Sequence, residues 1–215
     1  MKKLLLLCMS VVVFQFSNAQ SFYKHALVFS ADYGFEAYSL SQQYSIQGLA
    51  NSKTLNGVTT DGNFNFAGEF GLKSWLGVGV QVKIDQYHFS KDSSGYLPTA
   101  SSGEVGALIN IHIIHISKID LMVGGTIGYS EFSYTVNSDN AKFYGNSLWT
   151  DAHITFRYYF GRIGLNASAY IPFTSYKDMT SNTTWETGSA VLNTWKSTGG
   201  GINVGIQFRL LSLPK

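Results

Sequence analysis

Apolar residues recur at every second position along most of the chain after residue 20, which is the period of a β-strand. The last segment shows this most clearly, because Ile202, Val204, Ile206, Phe208 and Leu210 alternate with polar residues or glycine. The same alternation occurs in seven further segments, near residues 26–34, 64–72, 76–85, 104–113, 119–128, 151–160 and 163–171. The pattern predicts an all-β protein of eight strands, of which the first has the weakest signal.

The connections between these segments alternate strictly between long and short. The short ones are 73–75, 116–118 and 161–162, and the long, polar ones are 35–62, 90–103, 137–147 and 174–199. In an antiparallel up-and-down meander, every short turn then lies at one end of the strands and every long loop at the other. An even number of strands places both termini at the end with the short turns.

These features are typical of a transmembrane β-barrel, which has an even strand number, short periplasmic turns and longer extracellular loops. Five outward residues on one strand span about nine positions, so a strand tilted near 40° gives an apolar band roughly 20–25 Å tall. Aromatic residues near the strand ends suit the two interfacial girdles. We assign Trp75, Tyr158, Phe160, Phe173 and Phe208 to the turn side, and Phe35, Phe89, Tyr129, Tyr134 and Trp149 to the loop side.

A soluble barrel of the lipocalin type is the alternative fold, with its apolar face turned inward. Alternation alone fits both barrels. The polar faces are rich in glycine and small residues, which suits a narrow lumen better than a solvated exterior. Together with the separation of long and short connections, this favours the membrane barrel.

The first residues form a targeting segment. Lys2 and Lys3 precede an apolar run from Leu4 to Phe16, and small residues follow it. We predict cleavage between Ala19 and Gln20, so that residues 1–19 are a signal peptide and residues 20–215 form the outer-membrane β-barrel domain. The ending Asn18-Ala19-Gln20 resembles signal peptides of the Bacteroidota.

Composition narrows the classes of function. The formal net charge of +2 and the single cysteine, Cys8, both belong to the predicted signal peptide, which contains Lys2 and Lys3. The mature chain is then neutral and has no thiol for a disulfide or a metal site. We expect no nucleic-acid partner, because such a protein would carry a basic stripe.

The last strand carries a specific resemblance. Asn203, Gly205, Phe208 and Leu210 follow a polar-x-Gly-x-x-apolar-x-apolar order, similar to the assembly signal of outer-membrane barrels, although the chain continues through 211–215. Over nearly its whole mature length the chain resembles the small outer-membrane β-barrel proteins of the OmpA/OmpX-like class. The resemblance implies a Gram-negative outer membrane, contact with its lipid and lipopolysaccharide, and recognition by the barrel-assembly machinery. We also expect a monomer.

Charged residues fall on the predicted inward faces. We expect nine of them to form a structural lumen charge cluster, namely Asp32, Glu69, Lys83, Asp85, Glu104, Asp120, Asp151, Arg157 and Arg209. An eight-stranded barrel is just wide enough for side chains to fill it, so these charges should pair with one another. A narrow proton or ion path is the alternative.

The sequence predicts no catalytic residue, no metal ligand set and no cofactor. His112 and His115 are three apart on a strand and should face opposite sides, which prevents a shared metal. His153 and Thr155 are faintly similar to the His-x-Ser pair of lipid A deacylases, with threonine in place of serine.

The long loops are the expected place of function, since loops on a rigid scaffold carry recognition. Tyr38, Tyr44, Trp185 and Trp195 lie in them, where they would anchor a partner, lie on the membrane surface or fold back onto the rim. We therefore predict an integral outer-membrane protein, non-enzymatic, with a structural or adhesive role and a surface ligand held by its loops. The alternatives are a lipid A- or phospholipid-modifying enzyme and a narrow pore.

Overall fold

The computed structural model describes residues 21–48, 52–90, 97–136, 141–183 and 190–210. Its strands are β1 (Leu27–Ile46), β2 (Ser52–Gly71), β3 (Leu76–His88), β4 (Thr99–Ile116), β5 (Ile119–Thr135), β6 (Lys142–Phe160), β7 (Ile163–Tyr176), β8 (Thr180–Ser181) and β9 (Ala190–Arg209). β8 has two residues, whereas the other eight strands have 13 to 20. No helix within these ranges is long and apolar enough to cross a membrane.

The eight long strands form a closed ring. Each pairs antiparallel with its neighbour in the chain, and β9 pairs with both β7 and β1. The first and last strands therefore share a ladder, which runs from Val28 opposite Arg209 to Ile46 opposite Ala190. The eight-stranded antiparallel up-and-down barrel predicted from the sequence is confirmed. We call the end with the short turns the inner end and the opposite end the outer end.

The three short turns lie where the alternation placed them, at residues 72–75, 117–118 and 161–162. Gly161 has a φ of 78°, a left-handed conformation that glycine adopts without steric cost. At the outer end, however, the strands are longer than predicted. Residues 35–62 were expected to be a loop, but β1 continues to Ile46 and β2 begins at Ser52, so most of this segment is a long hairpin.

Apolar side chains cover the outside of the barrel. Phe29, Tyr33, Val80, Ile154 and Val204 are among many large apolar residues that the structure leaves 40% or more exposed. The interior is lined by the alternate positions, as the pattern indicated. Such a surface is unfavourable in water and favourable in lipid, so the exterior suits a bilayer.

Several of the aromatic residues assigned to the two girdles lie elsewhere in the structure. Trp75, Phe160 and Phe208 are exposed at the inner end, and Phe35 and Tyr129 at the outer end. Phe173 was assigned to the wrong end, since it pairs with Thr150 and Thr198 towards the outer end. Trp149 and Tyr134 are buried, and Phe89 is partly buried against other aromatic rings, because these three side chains turn into the barrel.

A β-bulge in β4 overturns the expected separation of His112 and His115. The register against β5 shifts between His112 and Ile114, and Ile113 and Ile114 are both exposed. After the shift, His115 lies opposite Asp120, a buried residue of the interior face. The two histidines thus share a side of the strand, because the extra residue of a bulge reverses the alternation.

The segment before β1 closes the inner end. Phe22, Tyr23, Ala26 and Val28 form a buried apolar cluster there, with Phe22 wholly buried. Ser21 is held on both sides, because its Oγ donates to the carbonyl oxygen of Ile119 at 2.7 Å and its carbonyl accepts from Arg209 Nη1 at 2.8 Å. We refer to residues 21–26 as the N-terminal segment.

A matched pair of arginine substitutions tests which face meets lipid. Val80 lies in the middle of the outward face of β3, and Gln86 lies on the same face near its outer end. Val80→Arg should lower the free energy of unfolding by about 2–4 kcal/mol, and Gln86→Arg by about 0–1 kcal/mol, because the cost of a charge depends on depth in the bilayer. Urea titration in lipid vesicles, followed by tryptophan fluorescence, measures both values. Equal losses would contradict a lipid-facing exterior.

Candidate functional site

The outer end of the interior is filled by an aromatic cluster. We call it the outer aromatic cluster; its buried members are Tyr38, Leu40, Tyr87, Ala100, Phe132, Tyr134, Phe143, Tyr176, Met179, Leu192 and Trp195. Trp195 lies at its centre, with ring centroids 4.7 Å from Phe132 and 5.1 Å from Tyr134. The cluster closes the barrel above its charged layers.

Three of the loop aromatics proposed as surface anchors lie in or against this cluster. Trp195 and Tyr38 are buried, and Tyr44 is partly buried against the others. They turn inward because β1 and β9 continue as paired strands beyond the apolar band, so their side chains still alternate between the two faces. The sequence had predicted loops in these segments. Trp185 lies outside the described residues.

A second layer, the inner charge cluster, lies next to the N-terminal segment and consists of Glu69, His112, Asp120 and Arg157. Arg157 Nη1 lies 2.7 Å from Glu69 Oε2 and 3.6 Å from Asp120 Oδ2. The two nitrogens of His112 lie 2.8 Å from Asp120 and 2.9 Å from Glu69. Both partners are carboxylates, which only accept, so both hydrogen bonds form when the imidazole carries two protons. Two anions then face two cations.

Phe22 covers this cluster on the side of the inner end. Its ring stacks on the imidazole of His112 with centroids 3.5 Å apart and an interplanar angle of 9°. Arg209 lies at the same end, over the rings of Tyr159 at 4.8 Å and Tyr23 at 5.4 Å. The inner end is therefore closed by packed rings and by a neutralised set of charges.

The middle of the interior holds smaller polar pairs. Asn166 Nδ2 donates to Asp32 Oδ1 at 2.7 Å, and His153 lies between Asp151 and Asn110, with 2.9 Å to each. A cavity of about 40 Å³ lies among these residues, which is large enough for a few water molecules. Thr155 donates to Ser168 at 2.9 Å, so His153 and Thr155 have separate partners.

The third charged layer lies just below the aromatic rings. We call it the outer acidic cluster: Glu36, Asp61, Asp85 and Glu104 around Lys83. Lys83 Nζ forms an ion pair with Glu36 and lies 3.0 Å from Asp85 Oδ1 and 3.7 Å from Glu104 Oε2. All five side chains are buried. Three carboxylates thus contact one ammonium group, and the carboxylate of Asp61 lies beside those of Glu36 and Asp85.

The structure places all nine residues of the predicted lumen charge cluster in the interior and divides them among these layers. Glu36 and Asp61 were missed, because they fell in the segment assigned to the first long loop. The signal was present, since Gly34, Glu36, Tyr38 and Leu40 continue the two-residue alternation of β1. Glu36 and Asp61 are direct cross-strand neighbours.

Glycine makes room for these charges. A Cβ atom added at Gly77 would collide with the carboxylate of Glu69, and one added at Gly205 would collide with Asp32. Both glycines face the interior, where the neighbouring strand places a carboxylate against the backbone. This accounts for part of the glycine content of the inward faces.

The residues of the predicted assembly signal lie in β9 and just after it. Asn203 is buried and Gly205 faces the interior, whereas Phe208 and Leu210 are exposed on the outside. β9 pairs with both β1 and β7, so this segment closes the barrel. Ala19 and Gln20, the predicted cleavage residues, lie outside the described residues.

Glu36, Asp61 and Asp85 are the group, among the residues with described positions, whose geometry could hold a metal ion. One ligand oxygen from each lies within 4.8 Å of the others, and all three side chains are buried. Carboxylate oxygens are hard donors of the kind that Ca²⁺ and Mg²⁺ take.

An open sheet edge lies on the outer rim. β2 begins to pair with β3 at Thr60, whereas its residues from Ser52 onward pair with β1 alone. Residues 52–58 are all exposed, including Leu55 and Val58. We call Ser52–Val58 the β2 edge. Its outward backbone groups have no neighbouring strand among the described residues.

No family model and no curated protein matches the chain. Solved structures do. The outer membrane protein OprG from Pseudomonas aeruginosa superimposes with a TM-score of 0.64 at 11% identity, over 89% of this chain and 99% of that one. The outer membrane protein AlkL, determined in lipid bilayers, gives 0.56 at 12% identity, over 93% and 96%. The chain therefore has the fold of the small outer-membrane β-barrels, as predicted.

Loss of the shared ammonium group tests the electrostatics of the outer acidic cluster. Lys83→Met should lower the free energy of unfolding by about 3–5 kcal/mol, because it leaves buried carboxylates without their cation. Lys73→Met, at an exposed position of an inner turn, should change it by less than about 0.5 kcal/mol. Denaturant titration in vesicles compares the two variants, and equal effects would refute the ion pairing.

Proposed function

We propose that the chain is an integral outer-membrane protein with a closed interior, which acts without catalysis through its outer hairpins in a structural or adhesive role. The observation that carries this proposal is that four layers of buried side chains occupy the interior between its inner and outer ends. The apolar exterior and the fold shared with outer-membrane barrels support the location.

The filled interior disfavours a pore. The N-terminal segment, the inner charge cluster, the outer acidic cluster and the outer aromatic cluster follow one another along the axis. The cavity among the polar side chains between the two charged clusters measures about 40 Å³, which is room for a few water molecules. A conducting path would need several of these layers to move together.

The same packing disfavours an enzyme that acts on membrane lipid. His153 and Thr155 point into the interior, where Asp151, Asn110 and Ser168 occupy their polar atoms. A lipid in the surrounding bilayer meets the apolar outer face instead. A nucleophile or general base for such a reaction would have to reach the substrate through the barrel wall.

The β1–β2 hairpin is the feature that favours recognition. The outward residues of β1 are apolar up to Ala37, and the strand continues for nine residues to Ile46. At about 3.3 Å per residue and a tilt near 40°, this extension rises roughly 20 Å above the apolar band. The hairpin therefore stands clear of the membrane.

The β2 edge on this hairpin supplies a means of binding. An exposed strand edge offers a row of backbone donors and acceptors to an added strand, and nearby side chains select the partner. Leu55 and Val58 are exposed on this edge, and Lys53 is its charged residue. We infer that a partner in extended conformation pairs here.

Planar-bilayer recording tests the closed interior. The refolded protein should show no steady ion conductance, because charged and aromatic layers block the axis. Folding is verified beforehand by heat-modifiable gel migration. Stable unitary currents from the folded protein would refute a closed barrel and favour the narrow pore.

Shortening the β1–β2 hairpin tests the outer role. Residues 42–55 are replaced by Asn-Gly, a two-residue turn that joins the paired residues Ser41 and Asn56. Cells that display this variant should lose adherence to collagen-coated wells or cell–cell aggregation, or leak a periplasmic enzyme. Lys73→Met, at the inner end, serves as the control at equal surface expression. A shortened barrel unchanged in all three assays would rule out a role for this hairpin.

A further inference from the structure

We propose that the outer acidic cluster binds one divalent cation of the calcium class, with the carboxylates of Glu36, Asp61 and Asp85 and the side-chain carbonyl of Asn63 as ligands. The site lies in the interior, at the level where the apolar belt ends. The site is separate from the proposed role of the hairpins, so an experiment can refute one of the two proposals without refuting the other.

The spacing of the oxygen atoms fits such an ion. One oxygen from each of the three carboxylates lies within 4.8 Å of the others. Ca²⁺ takes oxygen ligands at about 2.3–2.6 Å, so two ligands on opposite sides of it are about 5 Å apart. The three carboxylates therefore approach the geometry of a coordination shell without rearrangement of the strands.

The hydrogen bonds of Glu36 leave one of its oxygens for a ligand. Oε1 accepts from Tyr170 OH at 2.5 Å and from Asn63 Nδ2 at 3.2 Å, and it pairs with Lys83. Oε2 has no hydrogen-bond partner. A carboxylate held through one oxygen, with the other free, is the arrangement by which outer-shell donors orient a metal ligand.

Asp85 is held in a similar way. Its Oδ2 accepts from Ser102 Oγ at 2.8 Å, and its Oδ1 has no hydrogen-bond partner, although Lys83 Nζ lies 3.0 Å from it. The serine fixes the rotation of the carboxylate. The ammonium group of Lys83 then lies beside the proposed ion and completes the neutralisation from one side.

Asp61 and Asn63 give the second line of evidence. Asp61 is 0% exposed, and neither of its carboxylate oxygens has a side-chain hydrogen-bond partner. Asn63 is also 0% exposed, and its Oδ1 is without a partner while its Nδ2 donates to Glu36 and Tyr170. Buried polar atoms are nearly always satisfied, so these oxygens point to a ligand that completes them.

The outer acidic cluster has fewer cationic partners for its carboxyl groups than the inner charge cluster. In the inner charge cluster, Glu69 and Asp120 contact the guanidinium group of Arg157 and both ring nitrogens of His112. In the outer acidic cluster, four carboxylates face one ammonium group, and Glu36 lies directly opposite Asp61 across the β1–β2 ladder. Like charges directly opposite one another are destabilising, and a divalent ion removes most of the excess.

The donor set selects the class of metal. All the proposed ligands are oxygens, which suits hard cations, whereas zinc takes histidine and cysteine ligands as well. Mg²⁺ keeps several waters in a near-ideal octahedron, and this crowded interior has little space for them. Ca²⁺ tolerates irregular geometry and mixed carboxylate and carbonyl ligands, so it fits best.

The test uses the full mature chain refolded in detergent micelles and stripped with EDTA. After equilibration with Ca²⁺ and removal of free ion, elemental mass spectrometry should find about one calcium per barrel. The midpoint of thermal unfolding should rise with calcium concentration, because the ion binds the folded state. Asp61→Asn and Asn63→Leu should each weaken binding about tenfold or more.

Asp151→Asn is the matched control, since it removes another buried interior carboxylate that lies outside the cluster. It should bind calcium as the wild type does. If Asp61→Asn fails to fold, Asn63→Leu still tests the site, because the Asn63 substitution changes no charge. The proposal is overturned if the wild type retains no calcium and its unfolding is insensitive to calcium and EDTA. It is equally overturned if a folded Asp61 or Asn63 variant binds with wild-type affinity.

Discussion

Closure of the ring by the β1–β9 ladder is the constraint on which the rest of the structure depends. Hydrocarbon offers no hydrogen-bond partner to a backbone, so a sheet in a bilayer is stable only when it has no free edge at that depth. In this ladder the start of β1, at Val28, pairs with the end of β9, at Arg209. Once the ring is closed, alternation leaves each side chain one of two environments, lipid or a narrow interior.

In the narrow interior, the charged side chains contribute to the packing of the barrel. Eight strands leave room for side chains and little else. The barrel therefore arranges its charges in layers that differ in balance. Arg157 and His112 contact both carboxylates of the inner charge cluster, whereas Lys83 is the one cation of the outer acidic cluster among the described residues. The inner layer pairs its carboxylates with side chains of the barrel itself, and the outer layer is the proposed cation site.

The sequence predicted the strands inside the apolar belt, because there lipid on one side and polar groups on the other impose a strict alternation. The prediction from the sequence was wrong where the contrast between lipid and the polar interior ends. Beyond Ala37 the apolar positions of β1 move from the outward face to the inward face, where Tyr38 and Leu40 are buried. The outward apolar pattern therefore stops, although the hydrogen-bonded ladder continues to Ile46. Glu36 and Asp61 were lost for that reason, and Trp195 was placed outside. The bulge after His112 and the docking of Phe22 depend on tertiary contacts that no local pattern contains.

The direction of β2 limits what can pair with its open edge. In every copy within one membrane, β2 runs from the outer rim towards the periplasm, so two such edges side by side can meet only in parallel. In copies from two facing membranes the same edges run in opposite directions and can meet antiparallel, the slightly more stable arrangement. The orientation imposed by the bilayer thus gives the Ser52–Val58 edge a polarity, and antiparallel pairing of two such edges requires copies in facing membranes.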